Sequence, residues 1–83
     1  MIQLARTPKQ LGTTIRRQRK TLQLTQTKLG EKSGLRQATI SAVEDGEPGT
    51  ELQTLFDILA ALDLELVVRP RSKGNASEIE KLF

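Results

Sequence analysis

Residues 26–43, QTKLGEKSGLRQATISAV, decide how this chain folds. Two short helical segments flank a break at Ser33-Gly34-Leu35. Gly34 suits the left-handed backbone position that ends a helix and turns the chain sharply. Thr25 caps the first segment, predicted at residues 26–33, and the second is predicted at 36–44. Leu29 gives the first segment its inner face, and Leu35, Ile40 and Val43 give the second its own. Gly30 is unusual inside a helix, where glycine costs about 1 kcal/mol against alanine. Its presence predicts a close crossing by another helix at that point. Outward positions of the second segment, Arg36, Gln37, Ala38, Thr39 and Ser41, are mostly small or polar where a solvated helix would carry charge.

Two short helices locked by apolar residues around a glycine turn make a helix-turn-helix, whose second helix enters the major groove of duplex DNA. The outward side chains match that task. Gln37 can meet the N6/N7 edge of adenine bidentately, and Arg36 can pair with guanine O6/N7 or a phosphate. Ala38 or the Thr39 methyl can touch a thymine methyl, with Ser41 also within reach of a groove. Gln26, at the N-terminus of the first helix of the pair, sits where side chain and backbone N–H groups can hold a phosphate. For Thr39 and Ser41, ordinary helix-surface polarity is the competing reading.

Upstream, Thr7-Pro8-Lys9-Gln10 reads as a helix start, with Thr as N-cap, Pro at the first helical position and Gln completing a capping box. Leu11, Ile15, Gln18 and Leu22 then share a face, with Arg16, Arg17 and Lys20 turned outward, which predicts a helix at 8–22. Downstream, Asp45-Gly46-Glu47-Pro48-Gly49 is a turn cluster. Thr50-Glu51-Leu52-Gln53 reads as a second capping box, opening a helix at 51–62. Its apolar stripe is Leu52, Leu55, Phe56, Leu59 and Leu62, with Phe56 the bulkiest core candidate. Leu64, Leu66 and Val68 alternate with Glu65, Val67 and Arg69, giving a short strand at 65–69. A lone strand needs a partner for its backbone groups, and a second copy of the chain supplies one. The expected protein is thus mainly α: four helices and one C-terminal β-strand that pairs across a homodimer. Residues 1–69 form the domain and 70–83 a basic, linker-like tail, whose Ile79, Leu82 and Phe83 lie at helical spacing.

Eighty-three residues make one domain with a small core, and such chains often gain burial by dimerising. With no cysteine and no histidine, disulfides, the usual zinc ligands and the usual general base are all missing. No cofactor or metal is expected. No apolar run is long enough to span a membrane and the first residues are not a signal peptide, which points to the cytoplasm of a bacterium. Charge is segregated. Between Arg6 and Arg36 nine basic residues face one acid, Glu31, whereas between Glu44 and Glu65 there are seven acids and no base. That split suggests one face meant for a polyanion. Catalysis is disfavoured, because Glu44, Asp45 and Glu47 follow a helix end without a nucleophile–base pair, and no phosphate-cradling GxxxxGK[ST] pattern occurs.

The pattern Thr25-Gln26-x-x-Leu29-Gly30-x-x-Ser33-Gly34-Leu35-x-Gln37-Ala38-Thr39-Ile40-Ser41-x-x-Glu44-x-Gly46 resembles the Cro/C1 (XRE) family of repressors over about residues 11–62. The resemblance implies a lambda-repressor-like bundle that binds operator DNA as a dimer. It places Gln26 and Gln37 as phosphate- and base-contacting glutamines, and it implies a salt bridge between Arg19 and Glu44. A strand in place of a fifth helix, followed by a short basic tail, is similar to the HipB-type antitoxins. That likeness implies an intermolecular β-sheet, autorepression of a toxin–antitoxin operon, and a complex with a HipA-like Ser/Thr kinase toxin. A stand-alone Cro/C1-type repressor without a toxin partner is the alternative. The chain departs from the family's common pattern at Gly30, Ser33 and Arg36, and also at Ala42 and Asp45, where the family is often polar or basic; these last two leave the operator sequence unassigned.

Overall fold

The computed structural model describes residues 2–72. Ile79, Leu82 and Phe83, the tail residues at helical spacing, lie outside them. Helix α1 spans Pro8–Thr21, α2 Gln26–Ser33, α3 Gln37–Glu44 and α4 Leu52–Ala61. Three of the four predicted helices extend a residue or two too far. Leu22, Arg36, Glu51 and Leu62 are the flanking cap residues instead.

Helix α1 starts as its sequence dictates. The Thr7 hydroxyl accepts from the Gln10 backbone N–H at 3.0 Å, and Pro8 occupies the first turn, where its missing donor costs nothing. Gln10 reaches one residue further back than a capping box requires, its Oε1 accepting from the Arg6 N–H at 2.7 Å. The second predicted box does not form. The Thr50 hydroxyl donates to the Glu47 carbonyl, closing the preceding turn, and Gln53 donates to Asp57 along α4. With both side chains engaged elsewhere, Glu51 is the N-cap and makes no side-chain cap.

Gly30 has a different cause from the expected helix crossing. A Cβ there would lie 2.6 Å from the Leu35 carbonyl oxygen, so the chain's own turn demands the glycine. That turn closes through the Leu35 N–H donating to the Gly30 carbonyl at 2.8 Å, with Gly34 at φ 73°. The close helix crossing occurs at Gly12 of α1, where a Cβ would stand 2.5 Å and 2.6 Å from the carbonyl oxygens of Val43 and Glu44.

Helix α2 packs on α3 and α4, and α1 packs on α3. Their shared core is Ile15, Leu29, Ile40, Val43, Ile58, Leu59 and Leu62, with Leu11, Leu24, Leu35, Leu55 and Leu64 against it. Phe56 is 43% exposed and Leu52 64% exposed, so neither belongs to this core. Ile58, which the predicted stripe omits, turns the buried face of α4 away from them. Among the described residues, 65–69 form no ladder, and Leu66, Val67 and Val68 are exposed. The two ends of the described segment meet where the Arg6 guanidinium donates to the Ser72 hydroxyl at 2.8 Å and to its carbonyl at 3.1 Å.

Candidate nucleic-acid interface

The sharp turn at Gly34 sets the first residue of α3 beside the first residue of α2. Gln37 Nε2 donates to Gln26 Oε1 at 2.6 Å. Gln26 Nε2 donates in turn to Glu44 Oε1 at 3.1 Å. Glu44 closes α3 two turns beyond Gln37, on the same side of the helix, and is buried. Its carboxylate also takes a two-pronged contact from Arg19 of α1: Nε to Oε2 at 2.6 Å and Nη2 to Oε1 at 3.0 Å. The third arm of Arg19, Nη1, donates to the Leu24 carbonyl at 2.8 Å.

A buried ion pair recovers its desolvation cost only when the geometry is good and the remaining donors are satisfied. Both conditions hold here, and no described side chain has a buried polar atom without a partner. The hydrogen bond to Glu44 raises the pKa of Arg19, against the opposing effect of burial. The salt bridge implied by the family resemblance is therefore present, and it extends as a chain of hydrogen bonds to the exposed edge of the turn unit. That extension was not read from the sequence. The signal available was Glu44 seven positions after Gln37, which puts both residues on one side of α3.

Arg36, Gln37 and Ala38 are exposed, while Gln26, Thr39 and Ser41 are half-buried. Arg36 caps α3 by backbone geometry alone, without a side-chain hydrogen bond to the helix start. With Ala38 and Thr39 it lines an open groove of about 460 Å³ that runs between α3 and the start of α4. Thr50, which the sequence marks only as a helix cap, and Thr54, which it does not mark at all, line the same groove, because their place depends on how α4 folds back. Glu47 and Glu51 line it too, so its walls are of mixed charge. The fold thus joins Gln26 to Gln37 directly and gathers Arg36, Ala38 and Thr39 along one groove. Ser41 stands one turn beyond Gln37, outside that lining.

Basic residues Arg16, Arg17 and Lys20 are exposed on α1. The ion pair between Lys28 and Glu31, at 3.3 Å, is well exposed and worth little. Among the described residues, no group of acidic, histidine or cysteine side chains could hold a metal ion. No described helix is long and apolar enough to cross a membrane.

The family model of helix-turn-helix proteins matches residues 15–68. Antitoxin HipB of Escherichia coli (strain K12) is 37% identical over 74 residues, spanning 89% of this chain and 84% of that protein. A helix-turn-helix transcriptional regulator of Sinorhizobium fredii (strain NBRC 101917 / NGR234), itself uncharacterized, is 42% identical over 59 residues but matches only 29% of its own length. Among solved structures, a HipB variant in complex with an O2 20mer superposes with a TM-score of 0.81 at 33% identity, covering 87% of this chain and 100% of that one. HipB in the HipA–HipB–O2–O3 complex does so with a TM-score of 0.79 at 34% identity, covering 86% of this chain and 100% of that one.

Proposed function

We propose that this chain, which belongs to the helix-turn-helix family of Cro/C1 (XRE) type and within it to the HipB antitoxins, is a DNA-binding antitoxin. It binds double-stranded operator DNA as a homodimer, represses its own operon, and neutralises a HipA-like Ser/Thr kinase toxin by forming a complex with it. Its work is binding, not catalysis, and its place is the bacterial cytoplasm, on the nucleoid when DNA-bound. The observation that carries this reading is the Gln37–Gln26 pair on the exposed edge of the turn unit, in a chain whose HipB relatives were solved in complexes with O2 and with HipA.

In this reading Gln37 meets an adenine edge, Arg36 a guanine or a phosphate, and Ala38 and Thr39 a thymine methyl, with Ser41 at the margin. Gln26 presents a phosphate contact at the N-terminus of α2. Residues 1–69 form the DNA-binding domain, and 70–83 form a basic tail. One reading helix covers only a few base pairs, so useful specificity needs two copies at fixed spacing. Exposed Leu66, Val67 and Val68 suit a strand that pairs with its twin and sets that spacing. A stand-alone repressor is the second reading, favoured by the likeness to the Sinorhizobium transcriptional regulator.

The test uses the DNA upstream of the chain's own gene. Full-length protein should bind that duplex in preference to a scrambled one, with affinity falling as salt rises. Gln37→Ala should lose roughly 1–3 kcal/mol on the upstream duplex and almost nothing on the scrambled one. Equal loss on both would remove Gln37 from base readout. Co-expression with the neighbouring open reading frame separates the two readings. A kinase-like product that co-purifies marks an antitoxin, and a neighbour that is no kinase and does not co-purify marks a stand-alone repressor.

A further inference from the structure

Glu44 is buried and cannot itself touch a base, yet it ends a chain of hydrogen bonds that begins at the residue assigned to base reading. We propose that Glu44, held by Arg19, is a positioning residue that fixes which way round Gln37 presents its amide to DNA. The inference rests on the base-reading role proposed for Gln37 and adds a determinant of specificity behind it.

The reason lies in donor and acceptor parity. A carboxylate paired with a guanidinium offers acceptors only. The Gln26 amide, lying between Glu44 and Gln37, must therefore turn its Nε2 toward Glu44, at 3.1 Å, and its Oε1 toward Gln37. That oxygen can be met only by a donor, so Gln37 turns its Nε2 toward Gln26, at 2.6 Å. Gln37 is left with Oε1 and its second Nε2 hydrogen at its outer edge, an acceptor and a donor in a fixed order. Adenine shows the complementary pair, the N7 acceptor and the N6 donor, in the major groove. The order in which the amide presents its two groups then selects both the base and the strand that carries it. Two glutamines alone would not fix this order, because flipping both amides preserves their mutual hydrogen bond. The acceptor-only anchor breaks that degeneracy, and Arg19 holds the anchor still.

Glu44→Gln removes the parity while keeping the size and shape of the side chain. Full-length wild type, Glu44→Gln, Gln26→Met and Gln37→Ala are each taken through selection from a randomised duplex library. Affinity is then measured at fixed salt for the selected wild-type duplex, its single-base variants and a scrambled duplex. Nitrogen-15 relaxation of the Gln37 side-chain amide in the free protein gives a readout that needs no DNA. Gln37→Ala should flatten the preference at one base-pair position of each half-site. Glu44→Gln should lose roughly tenfold in discrimination at that same position, keep its affinity for scrambled duplex within about twofold, and free the Gln37 amide to move. A folded Glu44→Gln protein that keeps both the preference and a rigid Gln37 amide overturns the proposal. If Glu44→Gln does not fold, Gln26→Met carries the test, since it cuts the chain of bonds at a half-buried residue and leaves the Arg19–Glu44 pair intact. An unaltered preference in that variant also overturns it. A Gln37→Ala profile identical to wild type at every position is a separate failure, which removes the base-reading role and the positioning role together.

Discussion

Gly12 carries the spacing between α1 and α3, because both of the carbonyls it would strike are backbone atoms that cannot swing aside. Gly12→Ala gains helix propensity of about 1 kcal/mol but must force two backbones apart, an overpacking that costs about 1–3 kcal/mol. The net expectation is a urea midpoint lowered by the equivalent of up to about 2 kcal/mol. An unchanged or higher midpoint would mean that the two helices have slack. One of the struck carbonyls belongs to Glu44, so the same crossing also holds the anchor of the Gln26–Gln37 pair in place. Gly34 was legible in the sequence because its turn is local, and its partners lie within a few residues. Gly12 was not, since nothing near it in the chain announces a helix that arrives thirty residues later. The Gln26–Gln37 contact was hidden for the same reason. Both glutamines were singled out for DNA, but only the turn geometry shows that they touch.

At the scale of elements, helix positions followed from caps and periodicity, and the failures came where one residue had two competing partners. Thr50 fits a helix cap as well as it fits the preceding turn, and the turn takes its hydroxyl. On α4 the stripe through Leu52 and Phe56 was plausible by spacing, but Ile58 is fully buried and centres the inner face elsewhere. The apolar surface left over on α4 and along 66–68 is unusual for a lone chain and ordinary for half of an interface. The strand proposed at 65–69 gives a direct test. In a two-stranded antiparallel pair only alternate residues exchange hydrogen bonds with the partner, so Val67→Pro and Val68→Pro are made separately. At least one should remove a ladder donor and shift sedimentation toward monomer. If both variants remain fully dimeric, the paired strand fails and α4 becomes the main interface.

For the whole molecule, size and burial argue that folding and pairing are one event. Among the described residues, seven buried apolar side chains form the core, and a chain of 83 residues has little apolar surface to spare. Yet Leu52, Phe56, Leu66, Val67 and Val68 are left in water. If a second copy covers that surface, the native state is a dimer and the unfolded state a monomer, so mass action makes stability depend on concentration. A tenfold rise in protein concentration adds about 1.4 kcal/mol per mole of dimer. Spread over the unfolding entropy of two such chains, that raises Tm by roughly 3–6 °C. Scanning calorimetry across two decades of concentration measures the slope directly. Whichever proline variant has lost its partner should show a lower Tm with a flatter slope, because it unfolds as a single chain. A wild-type Tm that does not move with concentration would separate folding from pairing, and the two reading heads would then meet only on DNA. In that case half-site spacing would be imposed by the operator, and lengthening the DNA between half-sites would weaken binding far less than a preformed dimer requires.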